Sequence, residues 1–203
     1  MKLVTYSRNE SVSCGILAGE QIIDIPAVWP GPNPPRSAKE ILQRGSPCLA
    51  ALANLVGSAD IFTPLNSVKL LAPIPRPGKV IALAGNYSEH IKEAALKRGF
   101  KLGLSDSPRQ TTVPRPFIMP GTVVIGPEEQ ITWPAYSEQI DYEIELAVVI
   151  GKKTKCVTIE EAPDMVAGYT IANDVSARSV TFLAGRNKRD RKSTRLNSSH
   201  VSI

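Results

Sequence analysis

One stretch, IDYEIELAVVIGKK (Ile140 to Lys153), constrains the fold of this 203-residue chain more than any other. Its period-two pattern suits a pleated strand. Alternation sorts the strand into two faces. Tyr142, Ile144, Leu146, Val148 and Ile150 point one way, an apolar set expected to be core. Glu143, Glu145, Ala147 and Val149 point the other way, acidic at the near end. The Cα atoms of the two glutamates stand about 6.6 Å apart, so their side chains can converge on one ion. Semi-buried and uncompensated, they would repel until one took up a proton. Two readings remain open at this level. Either this is an edge strand with a wet acidic face, or the acids hold a hard divalent cation, Mg²⁺, Mn²⁺ or Ca²⁺ in preference to zinc. A cation site needs a third anion, and IANDVSAR offers Asp174 after an apolar strand.

The rest of the chain supplies a setting for that strand. MKLVTYS reads as a strand, and CGILAGEQIIDIP as a hairpin turning at Gly19-Glu20. SAKEILQRG starts a helix with Ser37 as N-cap and Glu40 closing a capping box. CLAALANLVG is a second helix, stopped by Gly57. A proline-rich connector near Leu71–Pro77 marks a boundary between a small domain (1–72) and a larger one (73–188). In the larger domain Lys79–Ala84 reads as a buried strand, and Tyr87–Arg98 as a helix capped by Asn86. A long polar loop follows, of the kind that forms lids. After it come short strands broken by Pro and Gly, then a short helix in TIEEAPDMV leading into YTIANDVSA.

Bulk properties narrow the function classes. No apolar run approaches the roughly 20 residues of a membrane helix, and the N-terminus lacks the apolar core of a signal peptide. Cys14, Cys48 and Cys156 form neither a disulfide framework nor a zinc motif, which fits a reduced, cytoplasmic setting. The net charge of +5 sits between Arg186 and Ile203, where six bases face Asp190 alone. Residues 1–185 are neutral, so a nucleic-acid partner is not expected, and neither is a membrane.

Carbonyl chemistry also needs a base. Before the tail there is one histidine, His90, with Glu93 three residues on and sharing its helix face. A carboxylate beside an imidazole orients it and raises its basicity. The same spacing also suits a surface helix pair.

The segments GNYSEHIKE, PGTVVIGPEEQITWP, SEQIDYEIELAVVIGKK and VAGYTIANDVSARS together resemble the fumarylacetoacetate hydrolase family, over roughly Pro73 to Lys188. The resemblance implies an α+β protein: a mostly β mixed roll preceded by a small N-terminal α+β domain. It implies a metal site at Glu143, Glu145 and Asp174 for Mg²⁺ or Mn²⁺, with Ca²⁺ also admissible. It implies a catalytic pair, His90 and Glu93, and substrate contacts from Asn86, Tyr87 and Arg178. Members act on small oxo acids and usually form homodimers. Hydrolysis of a carbon–carbon bond in acylpyruvate-like or fumarylacetoacetate-like substrates is the expected activity. Isomerisation, hydration or decarboxylation of related acids is the alternative. A non-catalytic metal-binding fragment is the reading of a different class.

The chain departs from that pattern twice. Met119 stands where many members carry a lysine, and a thioether holds no carboxylate. Residues 189–203 lack apolar periodicity and look like non-family sequence. The expectation is a catalytic domain cut short, its tail extended or irregular and packing on nothing consistent, its acidic site open on one side and its nearby apolar side chains exposed.

Overall fold

The fold is that of a computed structural model, which describes residues 1–84, 86 and 87, 114–177, and the backbone of 199–202. These fall into two compact units, Met1–Arg76 with Thr122–Ile203, and Pro77–Gly121. Residues from 122 onward group with the N-terminal ones.

The N-terminal part of the first unit is a five-stranded antiparallel sheet of β1 (Leu3–Arg8), β2 (Ser11–Ala18), β3 (Gln21–Asp24), β4 (Phe62–Pro64) and β5 (Lys69–Leu71), in the order β4-β3-β2-β1-β5. Two-residue turns fix its register. Asn9 and Glu10 both adopt positive φ between β1 and β2, and Gly19 does so between β2 and β3, as tight hairpins require. A short turn of helix, α1 (Ile25–Val28), leads away from β3, and α2 (Ala38–Arg44) and α3 (Ser46–Val56) follow. Ser37 caps α2 as expected, its Oγ accepting from the Glu40 amide at 3.1 Å. The box closes one residue early: Glu40 accepts from the Arg36 amide at 2.8 Å and also pairs with Arg44. Cys14, Ile16, Ile23, Ile25, Ile41, Cys48 and Leu52 form a core between sheet and helices. Val4, Tyr6 and Ile22 form a second cluster, against Leu65, Val68 and Leu70.

The C-terminal part of this unit is a four-stranded sheet. Its strands are β8 (Val124–Ile125), β10 (Ile144–Ile150), β11 (Val166–Asp174) and β13 (Ser199–Ser202), in the order β10-β11-β13-β8. A two-stranded ladder of β9 (Ile140–Asp141) and β12 (Ser176–Ala177) extends the β10–β11 pair. Residues 199–202 thus pair on both sides, antiparallel with β11 and parallel with β8. The tail was expected to pack on nothing; a strand held by backbone bonds needs no apolar periodicity of its own. Among the described residues no helix is long and apolar enough to cross a membrane.

In the second unit β6 (Val80–Leu83) pairs antiparallel with β7 (Pro116–Met119). The strand expected over Lys79–Ala84 is there, but it is not buried, since Ile81 is 60% exposed. The helix expected over Tyr87–Arg98 lies outside the described residues apart from Tyr87.

The alternation of β10 holds, and its apolar face is the more exposed of the two. Tyr142, Ile144 and Leu146 are 78%, 62% and 60% exposed, and Val148, Ile150, Tyr169 and Ile171 are exposed with them. Glu143 and Glu145 are the half-buried ones. The expected exposure of apolar side chains near the acids is therefore present, and the expected core role of that face is not.

Candidate active site

The acidic face is assembled by strand register. β10 and β11 pair with Ile144 opposite Asn173 and Glu145 opposite Ala172. One step further, Glu143 faces Asp174, whose amide donates to the Glu143 carbonyl at 2.8 Å. Directly opposite residues share a face, so Glu143, Glu145 and Asp174 all stand on one side of the ladder. β9 and β12 continue the same register, with Asp141 opposite Ser176. Asp141 is thus a further acid on this face, and its Oδ1 accepts from Gln139 at 3.1 Å. Extending the period-two pattern back from Glu143 would have found it; the sequence reading stopped at the two glutamates.

Burial differs along the face. β11 is flanked by β10 and β13, so Asp174 is 9% exposed and its Oδ1 is shut off from solvent. Among the described residues β10 is flanked on one side only, and Glu143 and Glu145 are half-buried. Tyr142 and Glu143 lie between β9 and β10. There the Glu143 amide donates to the Asn173 side-chain oxygen at 2.9 Å. Sequence reasoning passed over Asn173, and no pattern in the residues would have revealed a side chain standing in for a strand carbonyl.

Among the described residues no three His, Cys, Asp or Glu side chains are close enough together to hold one ion. The acids share a face and a register without being drawn to a common point, and the convergence expected of them is not seen. The donor chemistry nonetheless fits a hard divalent cation: three carboxylates and neither thiolate nor imidazole. Directly opposite residues lie roughly 5 Å apart and alternate ones about 6.6 Å, gaps that glutamate side chains can span by changing rotamer.

The supporting loop explains the PGTVVIGPEE segment. Glu129 accepts from the Gly126 amide at 2.9 Å and holds the Lys69 ammonium at 2.9 Å. A Cβ on Gly126 would lie 2.9 Å from the Leu71 Cα, so only glycine lets this turn sit against β5. The turn leads directly from β8, which is one edge of the site's sheet.

Of the other expected site residues, Asn86 and Tyr87 lie in the second unit, Asn86 half-buried and Tyr87 exposed. Met119 is buried opposite Val80. His90, Glu93 and Arg178 lie outside the described residues.

Comparison with known proteins gives consistent matches. The family model described as the C-terminal domain of fumarylacetoacetate hydrolase matches residues 79–197. A mitochondrial oxaloacetate tautomerase of Bos taurus is 32% identical over 169 residues, covering 83% of this chain and 49% of the relative. The crystal structure of maleylpyruvate hydrolase from a Sphingobium species, in complex with manganese(II) and pyruvate, matches with a TM-score of 0.67 and 25% identity, covering 100% of this chain and 65% of that one. A 5-carboxymethyl-2-hydroxymuconate delta-isomerase structure from Mycobacterium smegmatis matches with a TM-score of 0.64 and 26% identity, again covering 100% of this chain and 65% of that one. The chain spans about half the length of the curated relatives it matches.

Proposed function

The chain belongs to the fumarylacetoacetate hydrolase family, and from that premise we propose that it carries the acidic site of a divalent-metal-dependent enzyme that hydrolyses a carbon–carbon bond in a small oxo acid. The reading rests on one observation: Glu143, Glu145 and Asp174 occupy a single ladder face, with Asp174 buried. The manganese(II)- and pyruvate-bound relative supports both the ion class and the substrate class. Mg²⁺ and Ca²⁺ share the same preference for oxygen donors.

Glu143, Glu145 and Asp174 would hold the ion, which when bound supplies Lewis-acid polarisation of a substrate oxo group. His90, oriented by Glu93, takes a proton from water as general base. Asn86, Tyr87 and Arg178 are the proposed substrate contacts. Cys14 and Cys48 are free thiols in the core, which suits a reducing compartment, whether cytoplasm or the mitochondrial setting named for the bovine relative. A homodimer, with neither nucleic acid nor membrane as partner, completes the proposal.

A second reading has its own support, since two of the matched relatives are named as a tautomerase and an isomerase. Proton transfer at carbon next to a polarised carbonyl would use the same acids and base without water addition. Product analysis separates the two. Purified protein with Mn²⁺ is given acylpyruvate, oxaloacetate and a 2-hydroxydienoate. Cleavage products support the hydrolase, and isomerised products without cleavage support the second reading. Bound Mn²⁺ with no turnover of any of the three would overturn both.

A further inference from the structure

We propose that Asn173 is a positioning residue for this site: its side-chain oxygen takes the Glu143 amide and so fixes the acid that begins the face. This deepens the metal-site reading and rests on it. Three observations converge on Asn173. The strand pairing of β10 and β11 ends at Ile144 opposite Asn173, and strand pairing resumes between Asp141 and Ser176 in the same register. Glu143 lies in the step between them, outside both strands. Across that step the Glu143 peptide is tied to β11 at both ends, by its amide to Asn173 Oδ1 at 2.9 Å and by its carbonyl to the Asp174 amide at 2.8 Å.

The consequence is geometric. Hydrogen bonds to a neighbouring strand narrow the φ and ψ a residue samples, and with them the range over which its side chain swings. With both peptide groups of Glu143 anchored to consecutive residues of the central strand, its Cβ keeps a fixed place beside that of Asp174. The backbone positions of the two acids are then fixed, and only their side-chain rotamers remain to adjust to an ion. A leucine at 173 keeps the branching of the side chain and removes the acceptor, so the bond from the Glu143 amide is lost. An aspartate keeps an oxygen in the same place.

The test is Mn²⁺ binding, followed by electron paramagnetic resonance of the free ion. It compares the parent 203-residue chain with Asn173→Leu, Asn173→Ala, Asn173→Asp and Glu143→Gln, with circular dichroism confirming the fold of each. Loss of an outer-shell partner of a metal ligand typically costs about 10–100-fold in metal affinity. That loss is expected for the leucine and alanine variants, with affinity retained or raised in the aspartate variant. A merely structural role for Asn173 would shift the melt without separating aspartate from leucine. If Glu143→Gln weakens binding while leucine and alanine at 173 leave it unchanged, the positioning role is overturned and the metal site stands. If aspartate fails as leucine does, the acceptor is not what matters and the proposal is likewise overturned. If Glu143→Gln binds as tightly as the parent, the metal-site reading itself is overturned.

Discussion

Asp174 donates its backbone N–H to the carbonyl of Glu143 at 2.8 Å. Two acids proposed as ligands of one ion are therefore joined through their peptides, and their side chains can change without breaking that link. Asp174→Asn should keep the strand pairing and lose at least tenfold in Mn²⁺ affinity, since an amide oxygen is a weaker donor to a hard cation than a carboxylate. Calorimetric titration with Mn²⁺, alongside an unchanged far-ultraviolet spectrum, checks it. Equal affinity in the variant would remove Asp174 from the ligand set.

The expectation for His90 concerns rate rather than binding. A general base contributes about 10²–10⁴-fold. His90→Ala should lower kcat by that much while Mn²⁺ affinity stays as it was. Glu93→Gln should show a smaller loss in the same direction, because the imidazole remains and only its orientation is weakened. A pH–rate profile that keeps its acidic limb in His90→Ala would place the base elsewhere.

How far these expectations were legible in the sequence depends on the range of the interaction involved. The turn at Gly19-Glu20 and the cap at Ser37 are local, set within four residues, and both appear as read. Alternation in β10 showed which residues share a face. It could not show which face is covered, because burial depends on what packs there from elsewhere. Ile144 and Leu146 were expected inside and are exposed. Asp174 was picked out by residue type and position, and its burial follows from β13 pairing along β11, a contact across some 25 residues of sequence that no local period encodes. Asn173 was missed for the same reason: its bond replaces a strand bond that is absent only in three dimensions.

The N-terminal core makes an alkaline prediction. Burial above all, with Asp24 nearby, pushes the Cys14 thiol up to about 12 from 9.0, and burial likewise pushes the Tyr6 hydroxyl up to about 12 from 10.0. The unfolded chain therefore sheds these protons first. The stability they contribute is complete below about pH 9 and is lost as pH rises toward 12. Urea midpoints should be level from pH 7 to 8 and fall by pH 10.5. Cys14→Val should flatten part of that fall, and a fall of the same steepness in the variant would show that the thiol plays no part.

Gly126→Ala should destabilise the first unit by roughly 1–3 kcal/mol, the usual cost of forcing an extra carbon into a packed place. The new Cβ would press on the Leu71 Cα at 2.9 Å and the Ala72 amide at 3.1 Å, both backbone and unable to swing aside. Glu129→Gln should cost less. Its pair with Lys69 is partly exposed, and a surface pair is worth about 0–1 kcal/mol. Denaturant melts of the two variants should rank in that order, and the reverse ranking would show that the loop is held by charge and not by close approach.

The exposed side of β10 and β11 gives the widest separation between two outcomes. Leu146 stands opposite Ile171, and Val148 opposite Tyr169, on a face where all four are exposed. A contiguous apolar surface of this kind binds hydrophobic dyes and favours self-association. The 203-residue chain should therefore enhance the fluorescence of anilinonaphthalene sulfonate. Replacing Leu146 with Glu and Ile171 with Lys should weaken that signal. The new pair sits directly across the ladder, where opposite charges contribute about 0.2–1 kcal/mol. The urea midpoint should then hold or rise slightly. If the two side chains were packed in a core instead, as the alternation first suggested, the same change would bury two charges and cost several kcal/mol. A double variant that fails to fold, or melts far below its parent with unchanged dye binding, would mean that this face is covered in the 203-residue chain.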